Sequence, residues 1–302
     1  MRISKGFKNR ARKIMIIGVH GGGKSSLAAQ APNPFFFDFE EGTDSLDVYR
    51  NESPITSTSE LIGGINWLLH NEHDRFSVVL DTVDWCNDNI VTKNVRGGKP
   101  LNEAKGGFGK GKEAVADDWH LILAHLDNLR RVRNIGTILL AHAKVTKVND
   151  PIVGTYDKYT SDMPEGLDGL LQEWADEVFF IRHKVFTRTE ELGFNRERTL
   201  ASTAGEREIL TCDSASASAK NRCGLPPVME FPRTGFWNTY YQYIAKFNQQ
   251  PASNHVESKP AAMPVEQMAP ISTGVDISGI VVDGSSKPPS PEIAEMQQLF
   301  AG

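Results

Sequence analysis

The stretch KIMIIGVHGGGKSS, residues 13–26, decides the fold. Its first five residues form a short apolar run ending at Gly18, the pattern of a buried strand. SSLAAQ, residues 25–30, reads as a helix. Between them, GVHGGGKS (18–25) has the spacing G-x-x-x-x-G-K-[ST]. Glycines at Gly18, Gly21, Gly22 and Gly23 let successive backbone N–H groups, with those of His20 and Ser26 beside them, turn inward around phosphate oxygens. Lys24 then neutralises the β- and γ-phosphates, and the Ser25 hydroxyl is placed to ligate Mg²⁺. The helix that follows aims its positive end at the same anion. A plain glycine turn is the alternative, but the strand before and the helix after favour the phosphate cradle.

A phosphate site needs acids. SVVLD puts Asp81 at the end of an apolar run, where a carboxylate holds Mg²⁺. Asp84 either orients water or caps the next helix, and the cap is the simpler expectation. FFFDFEEG supplies Asp38, Glu40 and Glu41 at the end of another strand, and Glu40 is the candidate to orient an attacking water. A solvated acidic turn before Gly42 is its alternative. His142 ends the strand TILLAHA (137–143), either as a sensor of the γ-phosphate or as a satisfied core histidine. A guanine site would carry [NT]-K-x-D after a late strand. The nearest stretch, TKVN (146–149), lacks the acid, so the expected ligand is ATP with Mg²⁺.

The rest of the chain agrees with one large α/β domain. Apolar strands at 13–17, 35–40, 76–81, 137–143 and 177–183 alternate with helical patterns at 59–70, 114–132 and 167–177. Residues 184–211 suggest one or two more strands, with a turn near Glu190–Asn195. That alternation means a mostly parallel central sheet flanked by helices, with functional groups at the carboxyl ends of the strands. Two polar loops interrupt it, 92–112 and 144–166. The first carries Lys93, Arg96, Lys99, Lys105, Lys110 and Lys112 against Glu103 alone, with Phe108 among glycines.

Over 302 residues the net charge is -5, so the chain is no basic nucleic-acid coat. The charge is uneven: residues 251–302 hold six acids and two bases, whereas the first 13 residues hold six bases and no acid. This divides the chain into a basic arm (1–12), an ATPase domain (13–250) and an acidic tail (251–302). The Pro, Ser, Ala and Gly content of the tail predicts disorder. Cys86, Cys212 and Cys223 form no CxxC pair, which argues for a reducing compartment. No apolar run approaches the ~18 residues of a membrane span, and no signal-type segment follows the basic start, so a cytoplasmic protein is expected.

Over roughly residues 13–232 this layout resembles the RecA-type core ATPases, and more closely a phage AAA-type ATP-binding family that contains single-strand annealing and recombination ATPases. FFFDFEEG is similar to that family's strand whose Glu activates water, which implies the role for Glu40. TILLAHAK is similar to the strand whose terminal polar residue couples nucleotide state to a DNA-binding loop, which implies His142, although RecA itself has Gln there. AKNRCGLP (219–226) resembles a segment whose two cations reach a neighbour's ATP, implying Lys220 and Arg222 as trans-acting fingers on a strand ended by Gly224 and Pro226.

The resemblance further implies a homo-oligomer that binds single-stranded DNA through loops 92–112 and 144–166 and promotes annealing or recombination. It would work in a host cytoplasm if phage-encoded. The acidic tail would compete with DNA or recruit a single-strand binding protein. Basic loops with an aromatic suit backbone tracking and base stacking. The alternative is an ATP-switched loader or scaffold for a replication partner. A small-molecule kinase lacks a recognisable lid and acceptor pocket, and no helicase motif set appears.

Overall fold

The computed structural model describes residues 3, 5, 8, 10–191 and 197–249, with the side chains of all but 185–191, 197–204 and 249. The chain divides into Met1–Pro251 and Ala252–Gly302, and the fold below is that of the first unit. The expected tail, half of the basic arm and residues 192–196 of the expected turn lie outside the described residues.

The central strands are β1 (Lys13–Gly18), β2 (Pro34–Asp38), β3 (Tyr49–Arg50), β4 (Ser77–Asp81), β5 (Gly136–Asp150) and β7 (Glu177–Glu191). They run parallel in the order β3-β2-β4-β5-β1-β7. Antiparallel β8 (Glu197–Leu210) and β9 (Val228–Glu230) extend the β7 side, and β6 (Gly154–Ser161) pairs with the outer half of β5. This is the mostly parallel, helix-flanked sheet that the alternating pattern predicts.

Period-2 alternation explains why the strands are apolar throughout. Met15, Ile17, Phe37, Leu80, Leu139 and Phe180 face one core, covered by α2 (Thr58–His70), α5 (Lys110–Arg133) and α6 (Glu165–Trp174). Ile14, Ile16, Phe36, Val79, Leu140 and Phe179 face the other, covered by α1 (Lys24–Ala28) and α7 (Phe236–Gln249). Both faces bury their side chains there, so β1, β2 and β4 show no polar stripe.

A buried ionic knot at the start of the sheet ties α7 down. Glu177 is fully buried, pairs with Arg12 and accepts a hydrogen bond from the Tyr240 hydroxyl at 3.0 Å. Trp237 of α7 donates its indole N–H to the Leu27 carbonyl at 2.8 Å, bracing the end of α1. No helix among the described residues is long and apolar enough to cross a membrane.

Three expectations change. The segment 92–112 is not one open loop: Val83–Cys86 (α3), a π-helical turn at Asn87–Val91 and Thr92–Arg96 (α4) run on continuously, and α5 starts at Lys110. The loop shrinks to 97–109, pinned by buried Ala104 with a short 3₁₀ turn at Ala104–Gly106. The second loop is largely a hairpin, because β5 runs to Asp150 and β6 returns from Gly154. Finally, 216–222 forms no strand, only the isolated bridges Tyr159–Ala217 and Val178–Lys220.

Candidate functional site

The carboxyl ends of β1, β2, β4 and β5 converge on a cleft of about 350 Å³, lined by Gly21, Gly23, Lys24, Ser25, Ser26, Asp38, Glu40, Asp81, Thr82, His142 and Arg207. Gly21 and Gly23 take left-handed φ of 69° and 94°, and the chain can then wrap its N–H groups around an anion. At Gly23 an added Cβ would also meet an Arg207 nitrogen at 2.1 Å, so the guanidinium would have to move aside.

Below the glycines the Ser25 hydroxyl donates to Asp81 Oδ2 at 2.6 Å. Burial pushes the Asp81 carboxyl up to about 6, with Asp38 and Glu40 adding repulsion against the Ser25 bond and the Lys24 charge. Lys24 is buried, which lowers its ammonium pKa despite attraction from Asp81, Asp84 and Glu40, and its Nζ bonds the Gly18 and Val19 carbonyls at 3.1 and 3.3 Å. The chemistry fits a hard divalent cation and a polyphosphate. A hydroxyl and a carboxylate already meet at one point, three carboxylates share the cleft, and among the described residues the cation beside them hydrogen-bonds neutral carbonyls.

The two acids of β2 and its following turn divide their work. Asp38 is buried and accepts from the backbone N–H groups of Glu40, Gly42 and Thr43 and from the Thr43 hydroxyl, so it shapes the turn. Glu40 is exposed, and its carboxylate accepts from the Thr82 hydroxyl at 2.6 Å, one residue past Asp81.

Asp84 is not the expected helix cap. Its Oδ1 accepts from the His142 backbone N–H at 2.9 Å, and its Oδ2 lies 2.7 Å from His142 Nδ1. Burial alone would raise its pKa, but the His142 bonds and charge outweigh it and hold the carboxyl below its ordinary value. An ionised carboxylate only accepts, so Nδ1 carries the proton and Nε2 is left for another partner. His20, from the glycine-rich turn, stacks on His142 with ring centroids 3.7 Å apart. His142 is thus oriented on two sides rather than packed as a lone core residue.

Lys220 and Arg222 stand apart from this cleft. Lys220 Nζ donates to the carbonyls of Gln172, Glu173 and Ala175 at 2.7, 3.1 and 2.7 Å, capping the end of α6. Arg222 is exposed. Neither cation lines the cleft of its own chain, and Lys220 has a structural task at the end of α6.

Sequence reasoning missed two groups of the cleft. Arg207 arrives from β8, 185 residues from the Gly22 carbonyl that it bonds at 3.1 Å. Thr82 lies next to Asp81, and its hydroxyl in reach of Glu40 was readable only as a polar residue after a strand end. The basic loop does lie at the surface: Lys93, Arg96, Lys99, Lys105, Lys110 and Lys112 are exposed, and Phe108 is 99% exposed.

Residues 10–223 match the model of a family described as an AAA domain, which is well over half of the chain. No curated protein matches the sequence. Among solved structures, one titled "Crystal structure of the RadB recombinase" is similar at a TM-score of 0.41 and 11% identity, covering 75% of this chain and 90% of that one.

Proposed function

The chain belongs to the AAA domain family, and we propose that it binds and hydrolyses ATP with Mg²⁺ and uses that cycle to act on single-stranded DNA. The observation that carries the reading is the Ser25–Asp81 contact of 2.6 Å beneath the glycine cradle. Ser25 and Asp81 would hold Mg²⁺, which supplies charge neutralisation between the phosphates. The backbone N–H groups of residues 20–26 and the Lys24 ammonium would bind the phosphates. Lys24 would leave the Gly18 and Val19 carbonyls for an anion, a stronger acceptor. Glu40, fixed by Thr82, would orient water for in-line attack on the γ-phosphorus. His142, with Nδ1 committed to Asp84, would meet the γ-phosphate through Nε2.

Assembly of copies would let the exposed Arg222 reach a neighbour's nucleotide. Lys220 would join it only by giving up its bonds to the Gln172, Glu173 and Ala175 carbonyls. For DNA, the exposed lysines and Phe108 of loop 97–109, with Lys93 and Arg96 before it, offer backbone neutralisation plus one stacking platform. The β5–β6 hairpin adds Lys147, Tyr156 and the exposed Tyr159, while Lys158 is held by Asp213 at 2.7 Å. Annealing or strand exchange is the activity that such a surface, cycled by ATP, would serve.

The test is ATP hydrolysis by the full chain with and without single-stranded DNA, with Lys24→Ala as control. Stimulation by DNA that is lost in Lys24→Ala, and abolished when the lysines of 93–112 are neutralised, supports the reading. Hydrolysis indifferent to DNA overturns the DNA part and favours a nucleotide-switched loader.

A further inference from the structure

We propose that Arg207, supplied by the chain's own β8, is a phosphate-binding residue of the cleft, so that the nucleotide site receives an arginine in cis. The inference rests on the reading of the cleft as a nucleotide site and adds a residue that no motif indicates.

The fold explains the placement. β1 ends at the glycine turn, with Gly18 beside Ile181 of the parallel strand β7. Ile181 pairs with Ile209 of β8, and two steps further His183 pairs with Arg207. Arg207 therefore stands just past the carboxyl end of β1, at the level of the phosphate cradle, on the strand that flanks it through β7. No insertion or loop movement is needed to bring it there.

The local chemistry is unusual for a structural arginine. Arg207 is half-buried, yet it forms no ion pair among the described residues. The acids next to it are already taken: Glu206 by Lys184 at 3.0 Å and Glu208 by Arg182 at 2.7 Å. Its own contacts are neutral. Nη1 donates to the Gly22 carbonyl at 3.1 Å, and Cζ lies 4.2 Å from the centroid of the Phe231 ring. Stacking on a ring fixes the plane of the guanidinium while leaving its N–H edge free to bond. A half-buried, pre-oriented cation without a counter-ion among the described residues, on the wall of a cleft with a phosphate-binding turn, is matched by an oxyanion of a polyphosphate. The planar fork suits two phosphate oxygens at once. Gly23 leaves the guanidinium its place, since a Cβ there would meet it at 2.1 Å and push it aside.

A cis arginine also changes what assembly is for. If Arg207 completes the phosphate contacts, nucleotide binding does not require a neighbour, and Arg222 of another copy acts on hydrolysis alone.

The experiment titrates full-length protein with the fluorescent N-methylanthraniloyl forms of ADP and ATP, with Mg²⁺, for wild type, Lys24→Ala, Arg207→Ala and Arg207→Lys. Thermal melting of each variant checks folding. Arg207→Ala is expected to weaken binding by about tenfold to a hundredfold, the loss typical of a hydrogen bond to a charged group. Arg207→Lys keeps the charge without the fork and should fall between. Mixing Arg207→Ala with Lys24→Ala should restore no hydrolysis, because each substitution disables the site of the chain that carries it.

Wild-type affinity in a folded Arg207→Ala, or recovery of hydrolysis on mixing, overturns the cis assignment while the nucleotide reading stands. If wild type binds neither nucleotide, the reading of the cleft fails and this inference with it. Should Arg207→Ala not fold, Arg207→Lys decides: affinity equal to wild type refutes a role for the fork.

Discussion

Asp81→Asn should make the metal-free protein more stable at neutral pH while removing its response to Mg²⁺. The Asp81 carboxyl is raised from 3.8 to about 6, chiefly by burial. A folded-state pKa above the unfolded one means that the folded state binds the proton more tightly. The resulting stabilisation is complete below about pH 4, the unfolded value, and is lost as pH rises through about 6. Two units at ~1.36 kcal/mol each give about 3 kcal/mol lost by pH 7.5. Asparagine cannot ionise, and its amide oxygen still accepts from Ser25.

The stability difference between Asp81→Asn and wild type should therefore grow with pH, reaching up to about 3 kcal/mol above pH 7. Urea denaturation in EDTA from pH 4.5 to 8 measures it. Titrating groups away from the cleft cancel in the difference, while Lys24, Asp38 and Glu40, which interact with Asp81, are part of the measured effect. Adding Mg²⁺ and ADP should raise the melting temperature of wild type and not of the variant. A difference that stays flat across this range, or a variant less stable than wild type at pH 7.5, would refute the reasoning.

Three further outcomes follow from particular contacts. Asp84→Asn replaces an acceptor of the His142 ring proton, so ¹⁵N NMR should show loss of the Nδ1–H tautomer, with hydrolysis falling about tenfold as a charge-assisted bond is lost; an unchanged tautomer removes Asp84 as the positioning group. Glu177→Ala strands the Arg12 guanidinium, and urea midpoints should report a loss of about 3–5 kcal/mol that is smaller when Arg12→Met is added. Lys220→Met removes the cation from the last turn of α6 and should cost about 1 kcal/mol; hydrolysis unchanged at high protein concentration would leave Lys220 a helix cap and nothing more, whereas loss of hydrolysis in a stable variant would support a role at a neighbour's nucleotide.

The strands were legible because burial on both faces leaves no ambiguity in their composition. KIMII, SVVLD and TILLAHA are short apolar runs bounded by turns, and all three became β1, β4 and part of β5. The β5–β6 hairpin was not legible, because a ribbon wet on both sides needs no apolar pattern. Its ladder joins Lys144 to Thr160 and Lys147 to Asp157 through the backbone, whose hydrogen bonds leave no trace in residue type. The helix α7 hid for the opposite reason. Phe236, Trp237, Tyr240, Tyr243 and Phe247 have helical spacing, but aromatic and branched residues are common in strands, and the run attracts no assignment on its own.

The site divides along the same physical line. Gly18 to Ser25 is a local motif, in which spacing along the chain dictates geometry, and Asp81 followed from the rule that sheets carry chemistry at strand ends. What escaped was set by pairing between distant strands. Asp84 reaches His142 across 58 residues, and Arg207 reaches Gly22 across 185. Neither distance has a periodicity to betray it, and an Asp in a helix's first turn looks the same whether it caps or orients a histidine. One signal for Arg207 was present in REIL (207–210): Ile209 and Leu210 are buried strand residues, so a cation two steps earlier lies near the rim where that strand leaves the core. Turning that into a contact with the glycine turn requires knowing that β8 lies beside β7 and β7 beside β1. That order is a property of the sheet as a whole: each strand's own residues say that it is buried, and none of them says beside which neighbour.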